Sequence, residues 1–120
     1  MSNERKYDLE ARTIAFGEDV IELCKSTKQD AISSKIIGQL VRSATSIGAN
    51  YMEANGASSK KDFRNKIFIC KKEAQETKYW LVMLKKCEPL RGENIKKLWK
   101  EAQELTLIFQ KITSTLDGKP

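Results

Sequence analysis

The sequence contains no histidine, and this absence removes several classes of enzyme at once. Without an imidazole there is no Ser-His-Asp or Cys-His nucleophile system and no HExxH metal site. The Glu-x-x-His pairs that hold two irons in some helical bundles are missing for the same reason. No GxxxxGK[ST] or GxGxxG pattern offers a nucleotide site. We therefore expect a protein that is not an enzyme and that has no metal, cofactor or small-molecule substrate.

Glycine, proline and cysteine are also scarce. Six Gly and two Pro in 120 residues are few for an all-β chain, which needs frequent turns. Cys24, Cys70 and Cys87 form no CxxC pair and have apolar neighbours, so we expect free thiols in a reducing cytoplasm. No apolar run approaches the roughly 18 residues of a membrane span, and the charged first residues do not resemble a signal peptide.

Positive charge is abundant, and it is concentrated in the second half of the chain. The net charge is +6. Residues 1–58 carry seven Lys or Arg against eight Asp or Glu, whereas residues 59–120 carry fifteen against eight. A basic half is typical of proteins that bind nucleic acid, an anionic membrane or an acidic partner. The alternative is a lysine-rich surface that is simply well solvated.

The apolar periodicity predicts four helices, over residues 8–26, 30–55, 59–88 and 92–116. On the third helix, apolar positions from Phe63 to Leu84 alternate in steps of four and three. Asp30 and Ser59 are candidate N-caps, and Pro89 ends the third helix because proline cannot continue the hydrogen-bond ladder. Short connections between long helices force neighbours to be antiparallel. The sequence therefore predicts a single all-α domain, an up-down-up-down four-helix bundle spanning residues 1–120.

The third and fourth helices carry more apolar residues than their core stripes need. Those outside the stripes are Phe68, Ile69, Trp80, Val82, Met83, Trp99 and Leu107. Contiguous exposed apolar side chains usually mark an interface. We interpret this set as the interface of a homo-oligomer, and a wide core that absorbs some of these side chains is the alternative.

A row of cations runs along the third helix. Arg64, Lys71, Lys78 and Lys85 recur every seven residues, so they share one edge of the helix. Seven more lysines extend the row: Lys60, Lys61, Lys72, Lys86, Lys96, Lys97 and Lys100. Such an array can follow a phosphate backbone, although it reads no bases by itself. Lysines beside a helix seam can instead shield the core or pair with glutamate.

A polar set lies next to the apolar stripe of the second helix. It comprises Arg42, Ser46, Asn50 and Glu53, with Glu73 and Glu76 of the third helix as candidate partners across the bundle. A buried network of this kind would fix the register of the two helices, provided that every group finds a partner. We therefore assign these residues a structural role rather than a binding one.

Several sequence blocks resemble a known bacterial family. Residues 39–50 (QLVRSATSIGAN) are similar to the QLRRAxxSIxxN signature of the 23S rRNA intervening-sequence proteins. Residues 59–63 (SKKDF) and 72–81 (KEAQETKYWL) are similar to the SxKDF and KEAxETxYWL segments of that family. Residues 53–56 (EANG) resemble its EG turn with additional residues inserted. By motif match, Arg42, Ser46, Asn50 and Glu53 belong to the signature.

The resemblance implies an antiparallel four-helix bundle that assembles into a pentamer. A related group, the accessory proteins of diversity-generating retroelements, implies nucleic acid and a reverse transcriptase as partners. We expect a cytoplasmic, non-catalytic protein that binds nucleic acid, RNA in preference to DNA. The competing hypothesis is an interaction scaffold whose apolar faces, around Trp80, Met83 and Trp99, recruit a polymerase or a ribosomal component.

Overall fold

The computed structural model describes residues 8–119, which form four α-helices and one short 3₁₀ turn, and no strand. The predicted all-α four-helix bundle is confirmed. The first seven residues and Pro120, which the predicted domain included, lie outside the described range. The helices are α1 (Leu9–Lys25), α2 (Ser33–Asn55), α3 (Lys60–Cys87) and α4 (Gly92–Leu116), with the 3₁₀ turn at Pro89–Arg91.

Side-chain caps define where α2 and α3 begin. The Asp30 carboxylate accepts hydrogen bonds from the backbone N–H groups of Ile32 and Ser33, and the Ser33 hydroxyl accepts one from the Asp30 N–H. These bonds lower the pKa of Asp30. Because this reciprocal cap occupies a turn of its own, α2 begins at Ser33, three residues after the predicted start. At α3, the Ser59 hydroxyl accepts from the N–H of Asp62 at 3.0 Å.

The helices pack antiparallel in chain order around one core. Helix α2 lies between α1 and α3, α4 packs against α3 and more sparsely against α1, and α1 and α3 lie on a diagonal. Phe16, Leu40, Ile67, Leu81 and Phe109 are among the largest fully buried side chains, one or more from each helix. Burying each one stabilises the fold by roughly 1.5–3 kcal/mol.

Two polar contacts and one glycine set the α2 register within this core. Thr77 donates to the Ser43 hydroxyl at 2.9 Å, and both residues are fully buried. The Cys70 thiol donates to the carbonyl of Ile47 at 3.5 Å. A Cβ added to Gly48 would lie 3.3 Å from Thr13 Oγ1, so Gly48 lets α1 and α2 approach closely.

Candidate nucleic-acid interface

The predicted row of cations follows the seam between α3 and α4. Arg64 binds Asp117 through two hydrogen bonds, of 2.7 and 2.8 Å. One heptad later, Lys71 Nζ donates to Gln110 Oε1 at 2.8 Å. Each step of seven along α3 is thus matched by a step of seven back along α4, as antiparallel packing requires.

The same register pairs Lys78 with Gln103, whose Oε1 lies 2.5 Å from the lysine Nζ. Lys78 Nζ also lies 5.4 Å from the centroid of the Trp99 ring, which is within cation–π range. A neutral amide oxygen leaves the charge of a lysine uncompensated, whereas the Asp117 carboxylate neutralises Arg64. The Asp117 hydrogen bond raises the pKa of Arg64, and Arg64 lowers the pKa of Asp117.

A second basic surface faces away from the bundle, and we call it the α3 outer face. It consists of Lys61, Phe68, Lys72, Tyr79, Val82 and Lys86. Phe68 and Tyr79 are 39% and 54% exposed, and together with exposed Val82 they give this face an apolar component. Among residues 8–119, no carboxylate forms an ion pair with any of the three lysines of this face. Lys71 and Lys72 also lie 4.9 and 6.0 Å from the centroid of the Phe68 ring.

Tyr79 is the residue of this surface that the sequence-based prediction left out. Its ring packs edge-on against Trp80, with 4.9 Å between the ring centroids. Phe68, Lys72, Tyr79 and Lys86 are separated by four or seven residues, so they form a stripe displaced from the core stripe. The spacing of this second stripe is the sequence signal from which Tyr79 could have been assigned to the surface.

The fold places the remaining predicted lysines on different surfaces. Lys60 is exposed at the first residue of α3. Lys96 and Lys100 line a groove at the α3–α4 seam together with Lys85. Lys97 lies elsewhere, in a groove next to Asp19 and Glu22 of α1. The prediction of one continuous row is therefore wrong for Lys97, because the position of α1 decides which side of α4 meets acidic residues.

The polar set does not form the buried network that the sequence suggested. Arg42 pairs with Glu73 at 3.3 Å and with Glu76, and the Arg42 side chain is 44% exposed. The Glu76 bond is the main cause of the raised pKa of Arg42. Trp80 Nε1 donates to the same carboxylate at 2.8 Å, which is the main cause of the lowered pKa of Glu76. These groups join α2 to α3 at the solvent-exposed edge of the interface between the two helices.

The rest of the set does not connect with Arg42. Glu53 pairs with Lys66 at 2.7 Å, near the end of α2 and the start of α3. Asn50 donates to the carbonyl of Ser46 within α2, at 2.9 Å. The expected single network is thus divided into two ion pairs of Arg42, a separate Glu53–Lys66 pair and one intrahelical bond. The +4, +4, +3 spacing keeps these residues along the edge of α2 rather than in the core.

The apolar set outside the core stripes also falls into separate groups. Ile69, Trp80 and Met83 are half-buried, and Trp80 packs against the core. Phe68 and Val82 lie on the α3 outer face, and Trp99 lies at the seam beside Lys78. Leu107 is 53% exposed and lines a groove between α4 and α1. These residues therefore do not form one continuous patch.

Charge is distributed diagonally across the bundle. Helix α3 carries nine Lys or Arg against three Asp or Glu, whereas α1 carries two against four. Because α1 and α3 lie on a diagonal of the bundle, the acidic residues of α1 compensate little of the α3 charge. The surface around α3 is consequently the cationic side of the molecule.

Two of the three thiols are buried in the core. Burial raises the pKa of Cys24 to about 11 and that of Cys70 to about 12, so both thiols are protonated at neutral pH. In the part of the chain that the structure describes, no group of three or more Cys, Asp or Glu side chains is placed to hold a metal ion. None of the helices between residues 8 and 119 is long and apolar enough to cross a membrane.

Comparison with known proteins identifies relatives of this chain. The family model described as 23S rRNA-intervening sequence protein matches residues 5–111. A crystal structure of a protein of unknown function from Bacteroides thetaiotaomicron VPI-5482, of the S23 ribosomal protein family, superposes with a TM-score of 0.77. It is 32% identical, and the match covers 87% of this chain and 96% of that one. No curated protein matches the chain. With most of its length matched by the family model, the chain belongs to the 23S rRNA-intervening sequence protein family.

Proposed function

We propose that this chain is a non-catalytic, homo-oligomeric cytoplasmic protein that binds the phosphate backbone of nucleic acid through the α3 outer face. The observation that carries the proposal is the combination, on one helix face, of two exposed aromatic rings and three lysines that have no carboxylate partner among residues 8–119. Lysines gain from counterion release at phosphates, and aromatic rings offer stacking surfaces to unpaired bases.

The dimensions of the α3 outer face fit a nucleic-acid backbone. From Lys61 to Lys86 the helix rises about 37 Å at 1.5 Å per residue. That length is close to one turn of a double helix, about 34–36 Å. The lysines are held on a helix that is packed along its whole length, so binding costs little backbone ordering. The name of the family supports RNA as the natural ligand.

Self-association is supported by an apolar groove on the other side of the molecule. The groove lies between α1 and α4 and has a volume of about 730 Å³. Its apolar lining is provided by Leu9, Tyr51, Leu107, Ile108, Ile112 and Leu116. Since the α3 outer face lies away from this groove, subunits joined through α1 and α4 leave their basic faces open. By resemblance to the family, we propose a pentamer.

Replacing three lysines with neutral residues tests the binding surface. We expect the K61Q/K72Q/K86Q variant to bind a structured RNA at least tenfold more weakly than the unmodified protein, in fluorescence anisotropy at low salt. The matched control is K25Q/K28Q/K35Q, which removes the same charge from α1, the following loop and α2. Equal losses in the two variants would mean that net charge, and not the α3 outer face, attracts the nucleic acid.

Leu107→Glu tests the groove. We expect it to reduce the mass measured by light scattering to that of a monomer while the far-UV circular dichroism stays helical. An unchanged mass would refute this interface and would favour the competing function, in which the apolar groove recruits a protein partner.

A further inference from the structure

The structure contains a second feature of the basic side, a small groove at the end of the α3–α4 seam. It is lined by Val82, Lys85, Ile95, Lys96, Trp99 and Lys100, and its volume is about 290 Å³. We propose that this seam groove receives one unpaired base of a single-stranded nucleic-acid segment, while the three lysines bind the phosphates on either side of that base. The inference rests on the proposed nucleic-acid binding and adds the class of ligand, a single strand or a loop.

The positive charges at the seam groove arise where the pairing of α3 cations with oxygen atoms across the α3–α4 seam stops. Lys71 and Lys78 each meet an amide oxygen of α4, and Arg64 meets the carboxylate of Asp117 just beyond the end of α4. The next heptad step brings Lys85 to the level of Lys96, so two like charges line the same groove. No carboxylate among residues 8–119 pairs with either one. The position therefore has the charge that an anion needs.

Lys100 adds a third cation one helical turn beyond Lys96. The stem of Lys85 extends toward the start of α4, since its Cε lies 3.9 Å from where a Cβ of Gly92 would be. Lysines of this kind bind phosphates as flexible point charges, without demanding one geometry. They can follow the backbone of a strand whose base enters between them.

The floor of the seam groove is apolar and includes an indole. Val82 and Ile95 supply the aliphatic part, and Trp99 supplies a ring that is 36% exposed. Lys78 Nζ, 5.4 Å from the centroid of the same ring, is not among the residues that line the groove. A base that stacks on an aromatic ring gains about five- to 100-fold in affinity.

The size of the seam groove selects an unpaired base. Ligand sites usually measure about 300–1,000 Å³, so a groove of about 290 Å³ is at the small end and suits a single planar ring system. In a duplex the bases are stacked inside and cannot enter a groove of this kind. Duplex nucleic acid can still contact the exposed lysines through its phosphates. The structure thus assigns backbone binding to the α3 outer face and base stacking to the seam groove.

Tryptophan fluorescence tests this assignment without altering the groove. The sequence has two tryptophans, so Trp80→Phe leaves Trp99 as the one indole. We expect a short single-stranded RNA to quench this fluorescence with the same midpoint that anisotropy gives. A blunt RNA duplex should bind, as anisotropy reports, and leave the fluorescence unchanged. Binding of the single strand without quenching would overturn the inference.

Substitution of Trp99 provides the second test. We expect Trp99→Leu to weaken single-strand binding five- to 100-fold and duplex binding less than twofold, and Trp99→Phe to restore most of the affinity. Ile14→Ala, at an exposed position of α1, is the control and should change neither. If Trp99→Leu weakens both ligands equally, the base-binding groove is refuted, whereas the proposed backbone binding still stands. If the unmodified protein binds neither ligand, the proposed function itself fails.

Discussion

The contact between α1 and α2 at Gly48 leads to a prediction about the free energy of unfolding, and Gly38 of the same helix serves as the reference. Gly38 and Gly48 both lie inside α2, where alanine is favoured over glycine by about 1 kcal/mol. A Cβ at Gly38 would meet no atom within 4 Å. Gly38→Ala should therefore realise the full gain, about 0.8–1 kcal/mol in the free energy of unfolding.

At Gly48 the same substitution meets a neighbour. The added Cβ would lie 3.3 Å from Thr13 Oγ1, which is tighter than ordinary packing, and 3.5 Å from Thr13 Cβ, which is in van der Waals contact. Thr13 cannot easily withdraw, because it is buried and its hydroxyl donates to the carbonyl of Leu9 at 2.6 Å. We expect the steric cost to offset the gain, so that Gly48→Ala is at least about 0.5 kcal/mol less stable than Gly38→Ala.

Urea unfolding followed by circular dichroism measures both variants, and a double-mutant cycle identifies the cause. In a Thr13→Ala background the Oγ1 is absent, so Gly48→Ala should recover most of the gain seen at Gly38. Equal stabilisation by Gly38→Ala and Gly48→Ala in the unmodified background would refute the close approach of α1 and α2.

Further predictions concern the charges and the thiols. Asp117→Asn should release Arg64 from its ion pair and increase nucleic-acid affinity in anisotropy; unchanged affinity would mean that Arg64 does not reach the ligand. The pKa values of Cys24 and Cys70, about 11 and 12 in the folded protein, exceed the value of about 8.5 expected in the unfolded chain. Their contribution to stability is thus complete below about pH 8.5 and is lost as the pH rises toward 12. At pH 8 a thiol reagent should modify half-buried Cys87 first, and simultaneous modification of all three would contradict the packing around the other two.

The core of the fold could be predicted from sequence because it depends on local periodicity. The stripe that starts at Phe63 contains all six buried residues of α3, which follow at steps of three and four from Ile67 to Leu84, and Pro89 stops α3 as its chemistry requires. The start of α2 was less accessible. Asp30 caps it, but the cap forms a separate turn before Ser33, which depends on the reciprocal bond between the two residues.

The site was less predictable, because its properties depend on the neighbouring helix. Spacing alone places Arg64 in the same row as Lys71, but the end of α4 neutralises Arg64 and leaves Lys71 charged. Similarly, Lys96 and Lys97 are adjacent in sequence but line different grooves, one beside α3 and one beside α1. Whether Arg42 is buried depends on the distance between α2 and α3 at the edge of their interface, and the spacing of residues in the sequence does not indicate that distance.

The salt dependence of binding, measured by fluorescence anisotropy with a structured RNA, tests whether the α3 outer face binds phosphates. Each neutralised phosphate contributes about 0.7 to 0.9 to the slope of log affinity against log salt, depending on whether the strand is single or double. We predict a steep negative slope for the unmodified protein and a slope shallower by about two to three in K61Q/K72Q/K86Q. The same slope in both proteins would contradict the account, because the three lysines would then make no phosphate contact.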